Sequence, residues 1–156
     1  TGSKSESLSQ PDIIPDKFES GTPNTPGIVG LGAGIKFIIN KGIENIRKHE
    51  EELTEYMLKE LEKIEDVKVY GPMNAKKQAS VISLNIGDLD SSEISYILDQ
   101  AFNIAVRSGL HCAPLAHKTI GTFEQGTVRF SIGYFNTKED IDEAINAIKK
   151  ICEEIS

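Results

Sequence analysis

Residues 127–132, Thr127-Val-Arg-Phe-Ser-Ile132, alternate apolar and polar side chains with a period of two. A β-strand turns successive side chains to opposite faces, so Val128, Phe130 and Ile132 share one face and Thr127, Arg129 and Ser131 the other. The same rhythm runs through residues 79–86, where Ile82, Leu84 and Ile86 alternate with Ser83 and Asn85. Half-buried strands with one apolar face need a cover on that face only. A short strand is expected at 67–70, before the Gly71-Pro72 turn. Another is expected at 103–107, with Ile104 and Val106 on one face and Ala105 and Arg107 on the other.

The cover is legible as helices. Over residues 41–64 the apolar positions Ile43, Ile46, Leu53, Met57, Leu61 and Ile64 recur at steps of three, four or seven, the spacing of one helical face. Glu44, Lys48, Glu51, Glu55 and Lys59 form the solvated side. Ser91-Ser92-Glu93 opens a second helix with Ile94, Ile97, Leu98 and Ala101 inside. A last helix starts near Thr137, a cap with Asp140 three residues on. It turns Ile141, Ile145, Ile148, Ile151 and Ile155 inward, with Cys152 beside that stripe as a packed structural cysteine. Residues 74–78 read as a loop or hairpin connection. The order is α-β-β-α-β-β-α: an α+β fold, an α/β sandwich of helices packed on a small, mostly antiparallel sheet.

The N-terminal part differs in character. Residues 1–17 are rich in Ser, Pro and charge and read as an irregular arm. Pro23, Pro26 and Gly27 mark a turn, with Thr25 as the expected cap of the next helix and Pro26 at its first position. Gly30, Gly32 and Gly34 interrupt that helix. Their spacing is not the dinucleotide fingerprint, and close packing is the expected reason for them. The chain is therefore divided at residues 1–26, arm and turn, and 27–156, the folded domain.

Composition removes several classes of function. The 156 residues are 38% hydrophobic and 26% charged, ordinary for a globular protein. A net charge of −7 argues against nucleic-acid binding, which calls for a basic patch. No apolar run approaches the roughly 20 residues of a membrane-spanning helix, and no signal peptide pattern opens the chain. Cys112 and Cys152 do not suggest a disulfide framework, so a reducing cytoplasm is the expected setting.

The chemistry concentrates in Arg107-Ser-Gly-Leu-His-Cys-Ala-Pro114. It places Cys112 in a glycine-containing loop, with Arg107 five residues before it and Arg129 seventeen after. A nearby cation stabilises a thiolate, and an arginine fork grips a carboxylate bidentately. Thiol chemistry on a substrate bearing a carboxylate is the expectation. His111, beside the thiol, is a candidate to tune it or relay its proton. No second cysteine or carboxylate joins His111, Cys112 and His117 to complete a zinc set, so no metal is expected.

This loop resembles the active-site loop of the cysteine desulfurase and selenocysteine lyase family, class V aminotransferase-like enzymes of fold type I that use pyridoxal 5′-phosphate (PLP). Phe18-Glu-Ser-Gly-Thr-Pro-Asn-Thr25 resembles a second signature of that family, and the order of elements agrees from about Thr1 to Ile151. The resemblance implies that this is the C-terminal portion of a longer protein, a reading to which the opening Thr1 in place of Met adds. Residues 27–156 would then be its small C-terminal domain.

The resemblance also implies roles. Cys112 would take sulfur from L-cysteine as a persulfide, releasing L-alanine, and pass it to a sulfur-acceptor protein for iron–sulfur cluster or thiocofactor assembly. Arg129 would hold the substrate α-carboxylate. Arg107 would orient the loop or assist the anionic substrate. Thr22 would reach the PLP phosphate of the other subunit of a homodimer, with Thr1 and Ser3 near the same phosphate. The seventeen residues from Cys112 to Arg129 resemble the short-loop group of desulfurases. The Schiff-base lysine of the family lies upstream. Lys118 follows the cysteine and is not its counterpart, so the isolated chain is expected to be inactive. Two alternatives stay open: a selenocysteine lyase or other class V enzyme in which Cys112 is dispensable, and a PLP-free sulfur-carrier or interaction domain.

Overall fold

Ile82, Leu84 and Ile86 have no solvent exposure, and they stand on one face of the central strand of the sheet. A computed structural model describes residues 6–19 and 21–155, with every side chain among them except that of Ile155. Thr1 and Ser3 lie outside the described residues, as does the expected inward packing of Ile155. Among the described residues the elements run α1 (Thr25–Lys41), α2 (Ile43–Leu61), β1 (Val67–Tyr70), a 3-10 turn (Ala75–Lys77), β2 (Val81–Ile86), α3 (Ser91–Phe102), α4 (Pro114–Ile120), β3 (Val128–Ser131) and α5 (Lys138–Ile155). The chain divides into two compact units, residues 1–43 and 44–156.

In the second unit the sheet is antiparallel with the order β1-β2-β3. Val67 pairs with Ile86 and Val69 with Leu84. Ile82 pairs with Phe130 and Leu84 with Val128. The register thus gathers the apolar sets onto one face, as the period-two pattern requires. Leu53, Met57, Leu58 and Leu61 of α2, Ile94 and Leu98 of α3, and Ile141, Ile145, Ile148 and Ile151 of α5 complete one core with them. Removing one such side chain, as in Leu84→Ala, costs roughly 2–5 kcal/mol through lost transfer energy and the cavity left behind. The other face of the sheet carries Ser83 opposite Arg129 and Lys68 opposite Asn85. That polar face is the one available for chemistry.

The last helix starts as its sequence indicates. The Thr137 amide donates to Asp140 Oδ2 at 2.9 Å, and the Asp140 amide donates to Thr137 Oγ1 at 3.3 Å. This is a reciprocal capping box, and the Thr137 amide, then the Asn136 side chain, hold the Asp140 carboxyl below its usual value. Cys152 is buried within the core; burial, then the charge of Asp66, pushes its thiol up. Tyr56 of α2 donates to Asp142 of α5 at 2.5 Å. That bond, with desolvation, raises the phenol to about 12. His49 and Glu50 tie α2 to loops. His49 Nε2 donates to the Asn136 carbonyl at 2.9 Å and Glu50 accepts from Ser80 at 3.0 Å.

Several expectations are corrected. The strand at 103–107 does not form beyond its last residue. Asn103 instead ends α3 in the left-handed region (φ 58°), its amide donating to Asp99 and Leu98, and the Ile104 amide also returns to Leu98. Only Arg107 joins the sheet, through an isolated bridge to Arg129. A short helix, α4, stands where none was expected. The helix expected over 41–64 begins at Ile43, because Gly42 takes φ 81° and closes α1. Ile43 is exposed rather than inward, since it is the first residue of its helix and stands nearly three turns before the buried stripe that opens at Leu53.

In the first unit, residues 6–19 contain turns and bends only. Asn24, not Thr25, caps α1: its Oδ1 accepts from the Gly27 amide at 3.1 Å, while Thr25 is itself helical. No residue of α1 is buried. A methyl group added at Gly30, Gly32 or Gly34 would meet nothing within 4 Å, so no described residue supplies the close packing expected there.

Candidate functional site

The site is built by lending β3 a partial fourth strand. The Arg107 amide donates to the Arg129 carbonyl at 3.2 Å, and the Arg129 amide returns the bond at 2.7 Å. Two residues on, Gly109 and Thr127 exchange amide bonds at 3.1 and 3.2 Å. Residues 107–109 therefore run antiparallel beside β3, with Arg107 and Arg129 directly opposite and on the same face. That face is the polar one, since Val128, the residue before Arg129 on β3, is fully buried on the other.

The chain then turns out over this face. The Ala113 amide donates to the Leu110 carbonyl at 2.8 Å, closing a turn whose central residues are His111 (φ 49°) and Cys112 (φ 60°). Positive φ at both central positions is the type I′ pattern, usually filled by glycine or asparagine. Holding two ordinary residues there costs roughly 1–2 kcal/mol each, a strain the surrounding hydrogen bonds must offset. The product is an exposed thiol at the tip of the turn. The Arg107 guanidinium reaches it, Nη2 lying 3.5 Å from Cys112 Sγ. Pro114 then opens α4, where its missing amide proton is no loss.

His111 anchors the turn rather than projecting from it. Its Nε2 lies 3.1 Å from both the carbonyl oxygen and Oγ1 of Thr127. A carbonyl only accepts, so Nε2 carries the proton and Nδ1 of the neutral ring is bare. Nδ1 is buried without a hydrogen-bond partner among the described residues. Burial, and then the Arg129 charge, hold the imidazole below the usual histidine range. Its ring stands 5.8 Å from that of His117, which is buried and bonded through Nδ1 to Thr122 Oγ1 at 2.8 Å.

Arg129 is half-buried, and its Nε also lacks a partner. Among the described residues no ion pair reaches Arg107 or Arg129. Two uncompensated guanidiniums, an exposed thiol and a neutral imidazole thus converge on one patch. Such a set suits an anionic ligand presenting sulfur to Cys112.

Cys112, His111, Arg107 and Arg129 are brought together. Thr22 is in the first unit, exposed in the turn before α1. Among the described residues no three His, Cys, Asp or Glu side chains gather to hold a metal, and no helix is long and apolar enough to cross a membrane. Lys118 lies on α4 with its ammonium 4.9 Å from the Phe123 ring centroid.

Residues that support the site were missed. Asn85 is buried and donates to the Gly126 carbonyl at 3.0 Å. Gln125 clamps the loop before β3 through the Gly87 and Leu89 carbonyls at 3.0 and 2.7 Å. Thr122, Thr127 and His117 lie under the thiol turn. Only α4 left a usable signal, Pro114 at its start and Gly121 (φ 77°) as its cap.

The aminotransferase class-V family profile matches residues 3–144. A probable cysteine desulfurase of Halalkalibacterium halodurans is 42% identical over 137 residues, which is 88% of this chain and 32% of that protein. A cysteine desulfurase of Escherichia coli O157:H7 is 37% identical over 139 residues, again 88% and 32%. Among solved structures, the apo cysteine desulfurase of Thermococcus onnurineus NA1 superposes with a TM-score of 0.82 at 37% identity, covering 90% of this chain and 34% of that one. An Escherichia coli cysteine desulfurase superposes at 0.77 and 27% identity, covering 89% and 33%. The chain spans about a third of the length of the curated relatives it matches.

Proposed function

The chain belongs to the aminotransferase class-V family, and on that footing we propose that it carries the sulfur-accepting part of a PLP-dependent cysteine desulfurase. The observation that carries this reading is the exposed Cys112 thiol on a strained turn, within reach of Arg107 and over the face that holds Arg129. L-Cysteine offers what the patch lacks, a carboxylate and a sulfur atom a few bonds apart. Arg129, with its unpartnered buried Nε, takes the α-carboxylate, and Arg107 adds positive charge beside the thiol. His111, next to the thiol in sequence, stays neutral and holds the turn that presents it through its bonds to Thr127. Cys112 attacks the substrate sulfur and keeps it as a persulfide, alanine is released, and the sulfur passes to an acceptor protein for iron–sulfur cluster or thiocofactor assembly.

The fit to the cofactor is partial. When bound, PLP supplies the electron sink that lets the carbon–sulfur bond break. Of the described residues, the Thr22 hydroxyl suits its phosphate, within a homodimer, with Thr1 and Ser3 as further contacts. Lys118, already engaged by Phe123, is not assigned to hold PLP, and we assign that lysine to a part of the parent enzyme beyond these residues. Residues 27–156 are proposed as the small domain of that cytoplasmic enzyme, and the isolated chain is expected to bind no PLP and turn over no cysteine.

The test is direct. After a pulse of L-cysteine, mass spectrometry of the full-length parent should find one added sulfur on the peptide containing Cys112 and none on that containing Cys152. Cys112→Ser should nearly abolish sulfide release while leaving PLP bound, because a serine hydroxyl is not an ionised, soft nucleophile. Full activity in Cys112→Ser, or persulfide on Cys152 alone, would overturn the assignment. Retained selenocysteine turnover in that variant would mark a selenocysteine lyase instead.

A further inference from the structure

Arg107 and Arg129 face each other across a backbone bridge. Like charges directly opposite in a sheet are destabilising, so the pair is not there for stability. The two are also not equivalent. Arg129 is half-buried with an unpartnered Nε, whereas Arg107 is exposed and aims Nη2 at Cys112 Sγ, 3.5 Å away. The turn that sets this distance is held at both ends, by the Arg107–Arg129 and Gly109–Thr127 bonds before it and by the Ala113–Leu110 bond across it.

We propose that Arg107 is a catalytic residue of the sulfur side: its guanidinium holds Cys112 Sγ before transfer and the outer sulfur of the persulfide after it. The proposal deepens the desulfurase reading, on which it rests, by separating Arg107 from the carboxylate grip of Arg129.

The charge balance explains why one cation serves both states. The Cys112 thiolate contributes an electron pair to a new S–S bond with the substrate sulfur. The carbon–sulfur bond breaks and its electron pair stays with the carbon. The proton of the substrate thiol ends on that carbon, which becomes the methyl group of alanine. One negative charge enters on Sγ and one leaves on the outer sulfur. It moves by a single S–S bond, about 2 Å, beside a fork with five N–H donors. The other titratable groups facing the thiol turn are His111, bare at Nδ1, with Arg129 and His117 behind it. No carboxylate ion pair competes for Arg107 among the described residues.

The 156-residue chain itself, without cofactor or substrate, is the material for the test. Alkylation of Cys112 by iodoacetamide, a neutral probe, is followed by mass spectrometry at pH 7 and at its alkaline plateau. Arg107→Ala should slow the pH 7 rate roughly tenfold, the worth of one charge-assisted hydrogen bond to sulfur. Its plateau rate should not change, which shows that access and folding are intact. Arg107→Gln, close in size, should show the same loss, and Arg107→Lys should recover most of it. Lys118→Ala, which removes a neighbouring cation from α4, should leave the ratio of the two rates as it was. A pH 7 rate unchanged in Arg107→Ala and Arg107→Gln would overturn the proposal. The persulfide measurement on the parent judges the desulfurase reading separately, so the two fail independently.

Discussion

Gly126 lies so close to Gly109 that a β-carbon on Gly126 would stand 2.8 Å from Gly109 Cα. Gly109 is the residue that pairs with Thr127 just before the thiol turn. The approach of these two backbones therefore sets where Cys112 is presented.

Gly126→Ala should consequently be among the most damaging small changes in the chain. Its φ of 68° is left-handed, and the obstacle at 2.8 Å is backbone, which no rotamer change relieves. A loss of roughly 2–4 kcal/mol is expected from strain and overpacking together. Gly121→Ala, also at positive φ but with open space around it, should cost only about 1 kcal/mol. Urea unfolding of the two variants checks the order, and equal losses would contradict it.

Thr127→Val keeps the shape of a fully buried side chain but removes the hydroxyl that faces His111 Nε2. The bond to the Thr127 carbonyl survives, so the expected loss is about 1 kcal/mol, that of a single hydrogen bond. The urea midpoint should fall with the slope unchanged.

His111 also gives the stability a pH dependence. Burial and the Arg129 charge lower its value in the folded chain, so below about 6.5, the ordinary value, the unfolded chain binds the proton first. Stability conferred by the neutral ring is thus complete above about 6.5 and is lost as the pH falls toward the lowered folded value. Replacing His111 with Asn should flatten this part of the stability–pH curve, measured by urea unfolding between pH 7.5 and 5. An equally steep decline in His111→Asn would show that another group is responsible.

In the full-length parent, Arg129→Ala should weaken engagement of L-cysteine. Losing a bidentate, charge-assisted pair costs roughly 2–4 kcal/mol of transition-state binding, read as a fall in kcat/KM. An unchanged kcat/KM would place Arg129 outside the site.

Much of this was decided by local pattern. The period-two runs around Ile82 to Ile86 and Val128 to Ile132 and the stripe of α5 each name a face that water disfavours, and burial follows from that chemistry alone. The loop sequence from Arg107 to Pro114 named the residues that gather around the thiol, because residue type fixes which side chain can carry charge or sulfur. Tertiary structure decided the rest. Whether residues 103–107 formed a strand depended on α3 ending at Asn103, whose left-handed cap draws the Ile104 amide back to Leu98. The 3.5 Å from Arg107 to Cys112 depends on a register shared with β3, whose Arg129 lies twenty-two residues after Arg107. The buried Asn85 and Thr127 read only as polar positions of strands, and His117 as a zinc ligand without a set, because their partners lie in other elements. Pattern depends on solvent, which acts on each residue where it stands, whereas a site depends on distances between elements that only the folded chain brings together.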